Sequence, residues 1–311
     1  MTATPDAPCA GGVPPWLDED LQIALWCCYE LHYRGFADVD DRWEWDPAVV
    51  AFRGRLEARW LAGLRSLVAA GQPEGPVPAA VARLVSGSGG PDLPRYLARQ
   101  GSFAEFAEYL AHRSVYQLKE ADPHCFGIPR LGGRVKAALV EIEADEFGGG
   151  RPERVHAELF GVTMRWAGLA DDYGHYVPVV PAQTLAVSNL MSLFALHRRW
   201  LGALLGHLAV LEMTSTGPSR AYSAAAARLG AGAAARRYFE EHVEADAVHE
   251  QVALHDLCGA FAAERPEAAG DILFGARCCL ALDEVLARYL LSSWQDGRPS
   301  LLAPSSCQQA V

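Results

Sequence analysis

The sequence predicts an all-α protein, on three observations. Roughly eight to ten segments carry apolar residues at helical spacing, no segment shows the convincing apolar–polar alternation of a half-buried strand, and glycine, proline and capping signals fall at segment ends. Half of the 311 residues are hydrophobic, enough for one large core or two modest ones. There is no internal repeat.

Residues 1–15 are rich in Pro, Gly and Ala, a composition that predicts disorder. Asp18 to Tyr33, with Leu21, Ile23, Leu25, Trp26 and Tyr29, reads as a helix stopped at Arg34-Gly35. Pro47 to Ala70, with Val49, Phe52, Leu56, Leu61, Leu64 and Leu67, is a longer one. Two Pro/Gly-rich segments, from Gly71 to Pro76 and from Ser86 to Pro91, read as a turn and a loop or linker. Ser102 with Glu105 forms a capping-box pattern, so a helix is expected from there to about Glu120, stopping at Asp122-Pro123. Val135 to Phe147 follows, closed by Gly148, Gly149 and Gly150, then Pro152 to Trp166 and a connector from Asp171 to Pro178. The longest helix is expected from Pro181 to Glu212, ending at Thr214–Pro218. Ser223 to Leu229, Ala231 to Phe261 and Glu267 to Trp294 complete the series before a tail that frays over 303–311.

Composition excludes several function classes. A net charge of −11 without a basic cluster argues against a nucleic-acid surface, which needs phosphate-neutralising Lys and Arg. No run approaches the ~18 apolar residues of a membrane span. The opening Met1-Thr2-Ala3-Thr4-Pro5-Asp6 lacks the basic and apolar regions of a secretory signal, so a cytoplasmic protein is expected. The eight cysteines include the adjacent pairs Cys27-Cys28 and Cys278-Cys279 and no Cys-x2-Cys knuckle; they read as packing residues. Cys125, beside His124, is the one tempting nucleophile.

The strongest chemical signal is His242-x3-Asp246-x2-His249. At about 100° per residue, Asp246 lies roughly 40° from His242 and His249 roughly 20° to the other side, so three metal-ligand types share one helix face. Glu212 follows Leu205 and Leu208 at helical spacing, and Glu146 follows Leu139 and Ile142, so both carboxylates are expected to face inward. A buried carboxylate needs a cation or a dense hydrogen-bond set. His156 opens the helix after the glycines, and Glu120 closes the helix begun at Ser102. His255-Asp256 falls about 220° around from His242 and is set aside. His197, His207 and the Asp171–His175 connector read as core, surface or turn residues. Imidazoles and inward carboxylates spread over separate helices are what a carboxylate-rich two-iron site needs, since carboxylates bridge and neutralise two cations while imidazoles fix each iron.

The set Glu120, Glu146-x9-His156, Glu212 and His242-x3-Asp246-x2-His249 resembles the heme-oxygenase-like diiron oxidases and oxygenases, often labelled iron-containing redox enzymes, and especially their N-oxygenase subgroup. The resemblance covers roughly residues 100–295. It implies a heme-oxygenase-like helical bundle over 96–296, preceded by a disordered N-terminus (1–15) and an N-terminal helical extension (16–95) and followed by a C-terminal tail (297–311). It implies that Glu120, Glu146, His156, Glu212, His242, Asp246 and His249 are metal ligands, with no further catalytic or cofactor-binding residue. Implied cofactors are two Fe (Fe2+/Fe3+), with O2 as co-substrate and an external electron donor, a reductase or ferredoxin. The implied activity is oxidation of a small amine to an N-hydroxy, nitroso or nitro product through a peroxo-diferric species, in specialised metabolism, with a homodimer contact left open for the extension. One rival within the fold is desaturation or C–C cleavage of a fatty or amino acid; another is a metal-storage or non-redox thiaminase-like protein. Glu146 is the discriminating residue, the carboxylate added in the N-oxygenase subgroup, and its place at a helix end predicts tuning of oxygen reactivity more than retention of metal. Where the family carries acid and His on an uninterrupted helix, this chain has Gly148-Gly-Gly-Arg-Pro between Glu146 and His156.

Overall fold

The computed structural model describes residues 12–303. Most of the expected disordered N-terminus and of the expected tail lies outside the described residues. The α-helices run, in order, α1 Glu19–Glu30, α2 Pro47–Leu67, α3 Val77–Gly87, α4 Leu93–Arg99, α5 Phe103–Gln117, α6 Asp122–Cys125, α7 Gly133–Glu146, α8 His156–Trp166, α9 Ala182–Leu196, α10 Leu201–Arg228, α11 Ala233–Gln251, α12 Ala260–Glu264 and α13 Ala269–Gln295. The described residues contain no strand, so the fold is all-α.

Side-chain caps set several starts. Asp18 accepts from the Leu21 amide ahead of α1, and Asp46 accepts from Ala48 and Val49 ahead of α2. The expected capping box is closed, with the Glu105 amide 3.2 Å from Ser102 Oγ and the Ser102 amide 2.5 Å from the Glu105 carboxylate.

Three boundaries differ from expectation, each for a local reason. The helix expected from Pro181 to Glu212 is broken at His197, whose backbone is extended (φ −108°, ψ 110°). The Arg130 guanidinium takes the Ala195 and Leu196 carbonyls that the break releases. Beyond it, α10 does not stop at Thr214–Pro218 but runs on to Arg228 with Pro218 inside it, absorbing the separate segment expected from Ser223. The proline removes one N–H donor, while Thr214 Oγ1 donates to the Val210 carbonyl at 2.7 Å and Ser215 Oγ to that of Glu212 at 3.1 Å, tying this turn back onto the preceding one. Third, α5 ends at Gln117, leaving Glu120 in the turn that follows.

Leu21, Leu25 and Tyr29 of α1 and Trp60 and Leu64 of α2 share one buried cluster with Leu139 of α7, Leu190 of α9, Leu205 of α10 and Ile272 of α13. A second cluster joins Phe106 of α5, Phe160 of α8, Phe239 of α11 and Leu290 of α13. The long helices α10 and α13 pass at backbone distance: a Cβ on Gly206 would strike the Ile272 carbonyl, and one on Gly275 the Ala203 carbonyl. This crossing sets the depth of α10, and with it Glu212, six residues beyond Gly206. Gly206→Ala is therefore expected to lower unfolding stability by at least ~2 kcal/mol, because overpacked helices must separate. Urea denaturation measures it; an unchanged midpoint would show that the crossing can relax.

Candidate metal centre

Five segments converge on a buried cage. The turn after α5 brings Glu120, the end of α7 Glu146, the start of α8 His156, the middle of α10 Glu212, and α11 both His242 and His249. Ligand-type atoms of Glu120, Glu146, His156 and His242 lie within 4.8 Å of one another, as do those of Glu146, Glu212 and His249. Glu146 belongs to both groups. Six of the seven residues singled out in the sequence are thus brought together. The seventh, Asp246, lies on α11, but its side chain falls outside the described residues.

The glycine run between Glu146 and His156 makes their approach feasible. Gly148, Gly149 and Gly150 all have positive φ (67°, 59° and 79°), and a Cβ on Gly148 would meet the Arg154 backbone at 2.7 Å. The chain doubles back through two short 3-10 turns, and Glu146 Oε2 comes to 2.8 Å from His156 Nδ1. On the opposite side, Glu120 is held from outside by the N-terminal helix. Lys119, next to it, is almost fully buried, with Nζ 3.7 Å from Glu30 Oε2 and 4.3 Å from the Tyr33 ring centroid. Tyr173 donates to Glu30 Oε2 at 2.5 Å, and Arg34 donates to the Leu118 carbonyl at 3.0 Å. Ala121, with φ 75°, is the one described non-glycine residue in the left-handed region and turns the chain sharply after Glu120.

Each imidazole of α11 is oriented by a second hydrogen bond. His242 Nδ1 donates to the Tyr238 carbonyl at 2.8 Å, directing Nε2 to Glu120 Oε1 at 3.5 Å. His249 Nε2 meets Asp145 Oδ2 at 3.0 Å, directing Nδ1 to Glu212 Oε2 at 3.5 Å. The Tyr238 hydroxyl lies 3.0 Å from Glu120 Oε2 and donates to that carboxylate. Such outer partners fix ring orientation and raise ligand basicity. Sequence reasoning missed Asp145 and Tyr238, because an acid beside Glu146 and an aromatic residue on α11 carry no spacing signal.

Electrostatics describe an over-acidic buried site. Burial pushes the Glu146 carboxyl up, but the imidazoles of His156, His242 and His249 outweigh it and hold it below the usual range. Burial lowers His249, and Glu212 with Asp145 more than reverses this, to about 9. Glu143, also missed, is pushed well up by burial and by the neighbouring Glu146 and Glu212. Carboxylates this deep need positive charge. The residues fit a metal: Glu146 Oε2 and His156 Nδ1 approach to 2.8 Å without hydrogen-bond alignment and are otherwise unpaired, the arrangement of two donor atoms directed at a common cation. Mixed imidazole and carboxylate donors suit divalent iron.

The cage forms the floor of a cavity of about 280 Å³. Glu120, Glu146, Glu212 and His242 line it together with apolar Leu208 and Leu211 of α10. Cys125 is not among its lining residues. The expected surface and core assignments hold elsewhere: Asp256 pairs with Arg134, His197 with Glu57, and buried His207 with His124 at 3.3 Å.

Residues 107–284 match a family model described as iron-containing redox enzyme, a span that includes every residue of the cage. A similar solved structure is a domain of unknown function with a heme oxygenase-like fold from Shewanella denitrificans OS217. It has a TM-score of 0.51 and 14% identity, covering 72% of this chain and 92% of that one. No curated protein matches.

Two outcomes are expected from this geometry. Removing Glu30 (Glu30→Ala) leaves the Lys119 cation buried without its carboxylate and should cost about 3 kcal/mol of stability, read by denaturant unfolding; a change within experimental error would mean that Lys119 is satisfied otherwise. His242→Ala and His249→Ala each break one donor group and should each lower bound iron from about two per chain to about one, while Glu146→Ala, common to both groups, should lower it further. Iron analysis after anaerobic loading decides this, and full occupancy in all three variants would refute the cage.

Proposed function

The chain belongs to the iron-containing redox enzyme family, and on that premise we propose that it is a non-heme diiron N-oxygenase that oxidises a small amine to an N-hydroxy, nitroso or nitro product. The observation that carries this reading is the sharing of Glu146 between two donor groups, since a carboxylate common to both could serve both metals of a two-metal site. Its buried position supports a role in holding metal beyond the tuning role that its helix-end location suggested. Two irons bound there would supply the electron transfer and Lewis acidity that O2 activation requires. Glu120, Glu146, His156, Glu212, His242, Asp246 and His249 are the proposed ligands.

The rest of the work falls to this chain's own side chains. Tyr238 and Asp145 hold ligand orientation through the bonds to Glu120 and His249. Leu208, Leu211 and Phe239 exclude water from the floor of the cavity. Glu143, whose carboxyl is pushed well up by burial and by the neighbouring Glu146 and Glu212, lines the same cavity. For hydroxylamine formation the balance is amine plus O2, two electrons and two protons giving N-hydroxy product and water, with an external donor supplying the electrons.

The cavity, at about 280 Å³, is at the small end of ligand sites, which favours a small amine over a long fatty acid as substrate for desaturation or C–C cleavage. The thiaminase-like reading needs a nucleophilic thiolate, but burial and Glu143 push the Cys125 thiol up to about 12, the wrong direction for a nucleophile. Cytoplasmic location and specialised metabolism belong to the same proposal. In support of the first, the cysteines among the described residues are free thiols, and no described helix is long and apolar enough to cross a membrane. A reductase or ferredoxin as donor is also proposed, as is a homodimer through the N-terminal extension, where Trp43 and Trp45 are exposed.

The test is a single turnover of the Fe(II)-loaded protein with ¹⁸O2 against a panel of amines and fatty acids, followed by mass spectrometry. Label in an N–O bond is expected. An alkene or a shortened acid, with no labelled N–O product, would transfer the assignment to the desaturase or C–C-cleaving reading.

A further inference from the structure

A second, smaller cavity of about 10 Å³ lies where α5, α9 and α13 meet, the room that one water molecule needs. Arg113 and Gln117 line it from α5 and Ser188 from α9. Each of the three carries a buried polar atom without a hydrogen-bond partner: Arg113 Nε, Gln117 Oε1 and Ser188 Oγ. Gln117 and Ser188 are almost fully buried, at 7% and 1% exposure. Arg113 and Gln117 stand four residues apart on α5 and so project from one face. The neighbouring polar groups of the same interface are paired within the protein, with His112 Nδ1 2.6 Å from Thr184 Oγ1 and Nε2 3.0 Å from Ser300 Oγ. Buried polar groups in native structures find a partner in the protein or in ordered water, and three that share one cavity point to a common partner.

The chemistry of the three atoms selects that partner. Arg113 Nε–H only donates, Gln117 Oε1 only accepts, and a serine hydroxyl does either. A cation is repelled by the guanidinium, and an anion meets the Gln117 carbonyl oxygen. Water accepts from Nε–H, donates to Oε1 and makes a third bond with Ser188 Oγ, the usual number for a buried water. Arg113 uses a different nitrogen, Nη1, for its 3.4 Å contact with Asp283. Beyond Gln117, hydrogen bonds continue to the cage. The Gln117 side chain bonds the Tyr238 hydroxyl, and with Oε1 turned to the cavity it is the amide NH2 that donates. The Tyr238 O–H in turn donates to Glu120, 3.0 Å from Oε2.

We propose that this cavity binds one structural water, and that the water closes a hydrogen-bond chain in which every donor points the same way: Arg113 Nε–H to water, water to Gln117 Oε1, Gln117 Nε2–H to the Tyr238 oxygen, and Tyr238 O–H to Glu120. The chain starts at a cation and ends at a carboxylate, so each bond polarises the next in the same sense. The water fixes the direction of the Gln117 amide. A flipped amide presents its oxygen to Tyr238 and draws the phenolic proton away from Glu120. Arg113, Gln117 and Ser188 are thereby positioning residues that act on Glu120 through Tyr238. The water site is independent of the activity proposed above, and only its effect on metal binding rests on Glu120 being a ligand.

A high-resolution crystal structure of the full chain tests the site. A water peak within hydrogen-bond distance of Arg113 Nε, Gln117 Oε1 and Ser188 Oγ is expected; no peak there, or a Gln117 oxygen paired within the protein instead, overturns it. Fe(II) affinity, measured anaerobically by chelator competition, tests the chain. Tyr238→Phe should weaken binding about tenfold or more, the scale of losing an outer partner of a ligand. Gln117→Met keeps the length of the side chain but neither bonds the water nor donates to Tyr238, and should weaken binding less than Tyr238→Phe does. The double variant should be no weaker than Tyr238→Phe alone, because both changes act through one hydroxyl; a general loss of packing would instead add to it. Unchanged affinity in Gln117→Met, or additive losses, would overturn the chain even with the water peak present. If the unaltered protein binds no Fe(II), the cage reading falls, and the water peak by itself then supports or overturns the site.

Discussion

The constraint on which the rest of this structure depends is the burial of carboxylates. Glu120, Glu146 and Glu212 sit at the meeting point of five segments in an apolar bundle, where they are largely removed from bulk water. Three imidazoles offset part of the charge: they hold the Glu146 carboxyl down against the effect of burial, while Glu212 and Asp145 push His249 up. Such a set needs compensating positive charge, and a mixed imidazole and carboxylate cluster of this kind can hold a metal cation.

Holding these groups together requires backbone shapes that regular helices do not provide. The positive φ angles of Gly148–Gly150 turn the chain after α7 so that His156, at the start of α8, faces Glu146. Ala121 turns the chain directly after Glu120, and the buried Lys119–Glu30 contact anchors that turn to α1. The N-terminal helices therefore support one wall of the cage as well as enlarging the core. At the other wall, α10 is set by the glycine crossing with α13, carries Glu212, and continues past the Thr214–Pro218 segment that suggests an end. The helix that provides both α11 imidazoles passes into a π-helical stretch at Val252–Gly259, a departure that recurs beside functional sites.

The cavity above the cage combines an apolar wall with an acidic surround and one guanidinium. The span that matches the iron-containing redox enzymes includes every residue of the cage.

The amino-acid sequence by itself determined the all-α class, most helix positions and the residues of the cage. Those signals are local: helical periodicity, caps, glycine stops, and ligand-type residues on one face of α11. Tertiary structure alone decided that Glu146 lies between two donor groups and that Asp145 and Tyr238 orient the ligands. It also decided that His197 breaks the long helix expected from Pro181, because the released carbonyls find Arg130 sixty-odd residues earlier in the chain. The physical reason is common to these cases. Periodicity reports which face of a helix is buried, but the depth of a carboxylate, the partner of an imidazole and the place where a long helix breaks depend on groups that only packing brings within a few ångströms.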